Sequence, residues 1–259
     1  MERELAGRGF DLIVGFDEVG RGALAGPVMV GAAAVWARDL VKGGLDVPDG
    51  VADSKLLSEH KREAMFEDLR SWCAASAVGQ ASNKEIDEWG ITYALGIAAL
   101  RAVGMVERKL KIVGTSGIEN LGGLSDAPDA VPCNGIFPDD SDRSSMVSPS
   151  GVPLRVGAIL DGPNDYISKA AGTFDAPVVP VLPKVSTKVK ADQSCALVSA
   201  ASVIAKVTRD RLMVALAQGN PNYAPYQWQH NKGYGTEAHR AAIAEYGPTP
   251  LHRLSWHLT

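Results

Sequence analysis

The chain has 259 residues, 46% of them hydrophobic and 22% charged, with a formal net charge of −4 at pH 7. Such a composition supports a globular protein with a sizeable core, and no apolar run approaches the roughly 18 residues that a membrane span needs. The three cysteines (Cys73, Cys133, Cys195) are odd in number and form no C-x-x-C pair, which argues against a zinc ribbon or a disulfide framework; with a charged start and no apolar leader, a cytoplasmic protein is expected.

Residues 11–16 are apolar and β-prone, and they run into Asp17-Glu-Val-Gly-Arg-Gly. A second strand is predicted over Pro27–Trp36. A helix follows from about Ser58, where Met65, Phe66 and Leu69 recur at helical spacing. Ala74–Ser82 is predicted as a third strand, completing an antiparallel meander, and Asn83 as the cap of a short helix through Asp87. Thr92–Leu110 carries Leu95, Ala98, Ala99, Ala102, Val103 and Val106, the pattern of an amphipathic helix. The stretch Gly114–Val152 is rich in Gly, Ser, Pro and Asp without periodicity and reads as an irregular insertion. A buried-strand pattern resumes at Arg155-Val-Gly-Ala-Ile-Leu and ends at Asp161-Gly162. A short strand near Val178–Leu182, a long helix over Gln193–Leu216 and a short one over Thr236–Tyr246 complete the order. Strands first, then helix–strand–helix, predict an α/β domain with a mixed sheet flanked by helices.

Charge is uneven. Six acids stand against the single base Arg143 in the insertion, a contribution of −5 that leaves the rest of the chain at +1. Lys184–Arg211 carries six bases and two acids. The net charge therefore does not exclude a nucleic-acid substrate, although any one cluster is also compatible with a solvated face.

The densest chemical signal is Gly15-Phe-Asp-Glu-Val-Gly-Arg-Gly-Ala-Leu-Ala-Gly-Pro. Carboxylates at a strand terminus are a common way to gather Mg²⁺, a hard cation that prefers oxygen. Consecutive strand residues point to opposite faces, so Asp17 and Glu18 can meet one ion only if the backbone turns there; Gly20 and Gly22 would supply that freedom. The alternative is a polar turn in which Arg21 pairs with Asp17.

This run, followed by Asp53-Ser-Lys-Leu-Leu-Ser, resembles type 2 ribonuclease H (ribonuclease HII) in its bacterial form. Further landmarks come in the family's order: Glu85-Ile-Asp-Glu, Leu160-Asp-Gly, Lys190-Ala-Asp, Ser199-Ala-Ala-Ser-Val-Ile-Ala-Lys-Val-Thr-Arg-Asp, Asn231-Lys-Gly-Tyr-Gly-Thr and His252-Arg-Leu-Ser-Trp. The resemblance implies a ribonuclease H-like α/β fold, a mixed five-stranded sheet flanked by helices. It implies a catalytic domain over residues 1–217, with the acidic insertion 114–152, and a small helical C-terminal extension over 218–259. The implied activity is metal-dependent endonucleolytic cleavage of the RNA strand of RNA–DNA hybrids, and nicking 5′ to single ribonucleotides in duplex DNA, by a monomer with no membrane association.

Carried over residue by residue, the resemblance makes Asp17, Glu18, Asp161 and Asp192 the catalytic carboxylates, holding two divalent ions, Mg²⁺ or Mn²⁺. Four gathered acids repel one another unless cations neutralise them. Asp192 lies 31 residues after Asp161, a wider gap than the family suggests, and an Asp there also suits a helix N-cap. Gly20, Arg21, Gly22 and Tyr234 are implied to sense the 2′-hydroxyl, and Ser54, Lys55 and Lys206, with Arg21, to contact phosphates. In bare residue terms an aromatic in a Gly-rich turn such as Tyr234 is more often a packing residue, and Lys206 also reads as a solvated helical lysine. The histidines show no metal-ligand spacing, and His239 and His252 read as structural. Two other readings stay open: type 3 ribonuclease H, whose glycine motif carries Thr where Arg21 stands, and a catalytically inactive nucleic-acid-binding module.

Overall fold

In a computed structural model, the apolar run from Leu12 to Val19 forms strand β1, buried throughout except at the half-buried Glu18. The residues described are 1–41, 46–51, 57–113 and 154–259. The expected insertion at 114–152, Cys133, and the predicted phosphate-contact residues Ser54 and Lys55 lie outside them. Antiparallel to β1 runs β2 (Val28–Trp36), and antiparallel to that β3 (Ala75–Ala81), the meander expected from the sequence. On its other side β1 pairs in parallel with β4 (Val156–Asp161), which pairs in parallel with β5 (Lys184–Lys188). The five-stranded order is β3-β2-β1-β4-β5, which puts β1 at the centre.

Alternation along β1 divides the core. Leu12, Val14 and Phe16 face helix α5 (Ile91–Lys109), together with Ala98, Ala102 and Val106. Ile13 faces the long helix α7 (Ala196–Gly219) on the other side, together with Leu197, Ala201 and Ile204. The approach of α7 is set by Gly15: a Cβ there would lie 2.4 Å from the carbonyl carbon of Leu197. Any side chain at this position would push α7 off the strand.

Shorter elements follow local chemistry. Helix α1 (Glu2–Gly7) and helix α2 (Ala37–Val41) pack beside the α7 face, as does α3 (Glu59–Trp72), whose first turn is capped by Ser58 accepting from the Lys61 N–H at 3.3 Å. Helix α4 (Asn83–Trp89) starts one residue differently from expectation. Ser82, not Asn83, is the cap, in a reciprocal capping box with Glu85, an arrangement typically contributing about 1 kcal/mol. Asn83 is instead buried, donating from its amide to the carbonyls of Pro250 and His252.

Two further expectations are corrected. Val178–Leu182 is not a strand: Pro177, Pro180 and Pro183 lack the N–H groups a ladder needs, and the Val181 N–H goes to the Glu107 carboxylate on α5. The strand starts at Lys184, after the last of these prolines. Likewise α7 begins at Ala196 rather than Gln193, after a 3₁₀ turn over Ala191–Gln193. No side chain caps it, so Asp192 is not its N-cap.

Helix α6 (Tyr166–Ala171) leads from β4 toward β5. After α7, a 3₁₀ turn (Pro221–Tyr226), helix α8 (Trp228–Asn231) and helix α9 (Glu237–Tyr246) enclose Tyr226, Trp228, Ala242 and Ile243 against Met213, Ala217, Leu24 and Ala25. This segment is also bridged to the β1–β2 connection at Ala23↔Tyr234 and Ala25↔His252. Among the described residues no helix is long and apolar enough to cross a membrane.

Candidate active site

The parallel pairing of β1 and β4 ends at Phe16↔Leu160, so Asp17 and Asp161 are the next residues on neighbouring strands. By strand parity both belong to the α7 face, with Ile13 and Ile159. Asp161 accepts from the backbone N–H of Ala191 at 2.7 Å, which brings the 3₁₀ turn carrying Asp192 to the same edge. Asp17 and Asp192 are both buried, at 5% and 1% exposure. Register thus sets Asp17 beside Asp161, and one backbone hydrogen bond ties the turn that carries Asp192 to the same edge.

Glu18 differs. Because β1 stays extended through Val19, the backbone does not turn between the adjacent acids, and Glu18 points to the α5–α6 side. There it accepts from the Tyr166 hydroxyl at 3.2 Å and pairs with Arg21 at 3.3 Å. Arg21 therefore has Glu18 as its partner, where the polar-turn alternative gave it Asp17. Burial, followed by the charges of Glu18 and Asp17, pushes the Tyr166 hydroxyl well above its usual range, so it stays a donor at neutral pH.

The turn after β1 is held from beneath. Gly20 has φ +80, and a Cβ on it would lie 2.1 Å from the Nε of Arg209. Arg209 is buried and donates to the carbonyls of Pro27 (3.0 Å), Lys232 (2.9 Å) and Ala25 (3.1 Å). Arg253, equally buried, donates to the carbonyls of Gly20 (2.6 Å), Arg21 (2.9 Å) and Gly26 (3.2 Å). Burial and then the nearby Arg209 push Arg253 down to about 9, which leaves it charged at neutral pH. Tyr234 closes the arrangement: its hydroxyl accepts from the Gly20 N–H at 3.1 Å, and its ring lies 5.4 Å from the Arg209 guanidinium and 5.9 Å from Lys206 Nζ. Lys206 is half-buried and paired with both carboxylate oxygens of Asp210 at 2.7 Å, so it is not a freely solvated helical lysine.

The structure thus brings Gly20, Arg21 and Tyr234 together beside Glu18, with Lys206 near the tyrosine ring. Gly22 sits in the same turn with open space where a Cβ would be. Sequence reasoning missed Tyr166 as the partner of Glu18, and Arg209 and Arg253 as the supports of the turn. Both arginines stand inside recognisable runs, but nothing in a sequence distinguishes a buried arginine from an exposed one. All four predicted metal donors are carboxylates, a hard-oxygen set suited to Mg²⁺ or Mn²⁺. Among the described residues no group of three or more histidine, cysteine, aspartate or glutamate side chains is placed to hold a metal ion by itself.

A mixed five-stranded sheet with helices on both faces and acids gathered at the ends of its central strands defines a ribonuclease H-like fold. Solved structures agree. The ribonuclease H2 of Pyrococcus horikoshii matches with a TM-score of 0.58 at 23% identity, over 95% of this chain and 94% of that one. A Bst-RNase HIII in complex with Mn²⁺ matches with a TM-score of 0.61 at 19% identity, over 98% of this chain and 70% of that one. The family model for ribonuclease HII matches residues 14–118 and 164–259, and the ribonuclease HII of Streptomyces griseus is 40% identical over 99% of this chain and 82% of its own length. The chain belongs to the ribonuclease HII family and is a ribonuclease H endonuclease.

Proposed function

We propose that this endonuclease nicks duplex DNA on the 5′ side of a single embedded ribonucleotide, and also cuts the RNA strand of longer hybrids, leaving 3′-hydroxyl and 5′-phosphate ends. The observation that carries this reading is the Gly20 N–H to Tyr234 hydroxyl bond beside Glu18. It joins the turn able to approach a 2′-hydroxyl to a flat aromatic able to pack on the neighbouring sugar.

Asp17, Asp161 and Asp192 from the α7 side of this edge, and Glu18 from the opposite face of β1, are the residues that would hold two divalent ions, Mg²⁺ or Mn²⁺. When bound, these supply an activated water and stabilise charge on the leaving oxygen. Asp161, fixed by the Ala191 N–H, and Glu18, fixed by Tyr166 and Arg21, present their carboxylates in set orientations. Water attacks phosphorus in line; a new P–O bond forms as the bond to the 3′-oxygen of the preceding nucleotide breaks, and that oxygen takes up a proton. Arg21 and Lys206 would neutralise phosphates without reading bases, as would Ser54 and Lys55. The enzyme acts as a cytoplasmic monomer on RNA–DNA hybrids and ribonucleotide-containing DNA. Residues 1–217 form the catalytic domain and 218–259 the extension that delivers Tyr234.

The test is cleavage of a duplex carrying one ribonucleotide, with and without Mg²⁺ or Mn²⁺, with the product ends mapped. A metal-dependent cut 5′ to the ribonucleotide is expected. Cleavage of long hybrids alone would move the specificity to type 3, and no cleavage by folded, duplex-binding protein would leave an inactive binding module.

A further inference from the structure

Two imidazoles lie edge to edge beneath Tyr234, and their partners fix where every ring proton sits. His239 Nδ1 is 2.9 Å from the Tyr234 carbonyl, which only accepts, so Nδ1 carries a hydrogen. Its Nε2 is 3.0 Å from the indole N–H of Trp228, which only donates, so Nε2 accepts. The same Nε2 is 3.0 Å from Nε2 of His252, which must therefore donate. His252 Nδ1 in turn accepts from the Thr249 N–H at 2.8 Å. His239 is thus a neutral Nδ1–H tautomer and His252 a neutral Nε2–H tautomer. Both residues are completely buried.

The relay leads into the turn after β1 at both ends. Through Tyr234 it reaches the hydroxyl that accepts from the Gly20 N–H. Past His252 comes Arg253, whose guanidinium holds the Gly20 and Arg21 carbonyls. A proton added to His239 Nε2 would face two N–H donors. The elements around the pair offer the rings of Tyr226 and Trp228, with Arg240 next on α9 and Arg253 next after His252. Burial lowers the affinity of both imidazoles for protons, and the positive neighbour Arg240 lowers that of His239 further.

We propose that His239 and His252 are positioning residues for substrate discrimination: a pair of neutral imidazoles of opposite tautomer that sets the placement of Tyr234 against the Gly20–Gly22 turn. This rests on the proposed role of Tyr234 at the ribonucleotide–DNA junction. Preference for a single ribonucleotide over a long hybrid then depends on two residues that touch neither substrate nor metal.

Two measurements test it. Long-range ¹H–¹⁵N spectra of the wild-type protein with labelled histidine, at neutral pH, should show Nδ1–H for His239 and Nε2–H for His252. An imidazolium or the reversed tautomers would overturn the relay without any variant having to fold. The second compares kcat/KM on the single-ribonucleotide duplex and on a long hybrid for Tyr234→Ala, His239→Gln and His239→Asn. His239→Gln should lose about tenfold or more on the single-ribonucleotide duplex and stay within about threefold on the long hybrid, since small misplacements near a reacting group are costly. His239→Asn, which can still donate to the Tyr234 carbonyl, should recover part of the ratio. In the Tyr234→Ala background the His239→Gln change should add less than about twofold. Equal losses by His239→Gln on both substrates, with Tyr234→Ala still skewing the ratio, would make the histidines merely structural and overturn the proposal. If Tyr234→Ala itself leaves the ratio unchanged, the junction role of Tyr234 fails and takes this inference with it.

Discussion

The ends of β1 and β4 and the C-terminal segment bury polar groups in opposite ways. At the strand ends acids are collected at one edge: Asp17 and Asp161 share a face by strand register, and Ala191 ties the turn carrying Asp192 to Asp161. In the C-terminal segment and the part of α7 beneath it, buried donors meet acceptors: Arg209 on α7 and Arg253 each reach three backbone carbonyls, and the histidines reach one another. Gathered like charges disfavour one another in the protein alone and are relieved by a cation. Matched donors and acceptors stabilise the protein alone and leave nothing for a ligand to satisfy. On the proposed reading, the first region is completed by metal ion and substrate, and the second keeps the turn after β1 in place.

The sharpest way to break this comparison is Asp17→Asn, which preserves shape and removes one charge. Turnover should fall to background on both substrates, while duplex binding, carried by lysine and arginine contacts, stays largely intact. Cleavage and gel-shift measurements on the same preparation separate the two. Substantial nicking at saturating Mg²⁺ would remove Asp17 from the set that holds metal.

The complementary test is aimed at the scaffold. Arg253→Met keeps much of the buried volume and strips the donors from the carbonyls of Gly20, Arg21 and Gly26. An orphaned buried acceptor costs about 1–3 kcal/mol, and since the Gly20 carbonyl keeps the Ala23 N–H and Arg21 is exposed, the loss should be about 2 kcal/mol. For a chain of this size that is a fall in Tm of roughly 4–8 °C. Single-ribonucleotide cleavage should suffer beyond this, because the turn loses its support. An unchanged Tm would mean that Arg253 does not hold the C-terminal segment and the turn after β1 together.

These regions also differ in how far they were legible in the sequence. An apolar run ending in Asp17, and another ending in Asp161, announce themselves, because a buried strand that stops at an acid has a simple pattern. Gathering those acids on one face then follows from parallel pairing alone. The supporting cast does not announce itself. Arg209 and Arg253 look like surface charges until the fold places backbone carbonyls around them, and Tyr166 follows an ordinary cap residue, Asp165. Strand β5, Lys184-Val-Ser-Thr-Lys, is an edge strand with little burial, so it lacks the apolar signal that drew the prediction upstream to Val178–Leu182. His239 and His252 were legible as structural, but their tautomers are tertiary facts.

The smallest expected effect sets the imidazole pair against a buried acid outside both regions. Burial, reinforced by His239, pushes His252 from 6.5 down to about 4, and burial pushes Glu107 on α5 from 4.5 up to about 7. Between pH 6.5 and pH 4.5 the unfolded chain carries a proton on His252 that the folded protein refuses, so acidification destabilises. Over the same range the folded protein keeps a proton on Glu107 that the unfolded chain releases, so acidification stabilises. Each contributes at most about 1.4 kcal/mol per pH unit, and the two oppose one another. His239, also shifted down by burial, adds to the destabilising side. The wild-type protein should therefore lose stability gently as pH falls through this window. Glu107→Gln removes the opposing acid, and its stability should fall more steeply with acidification, read from denaturant midpoints at pH 6.5, 5.5 and 4.5. A variant slope equal to the wild-type slope would mean that Glu107 is ionised in the folded protein, and a wild-type protein that gains stability towards pH 4.5 would mean that the imidazoles accept protons where they are buried.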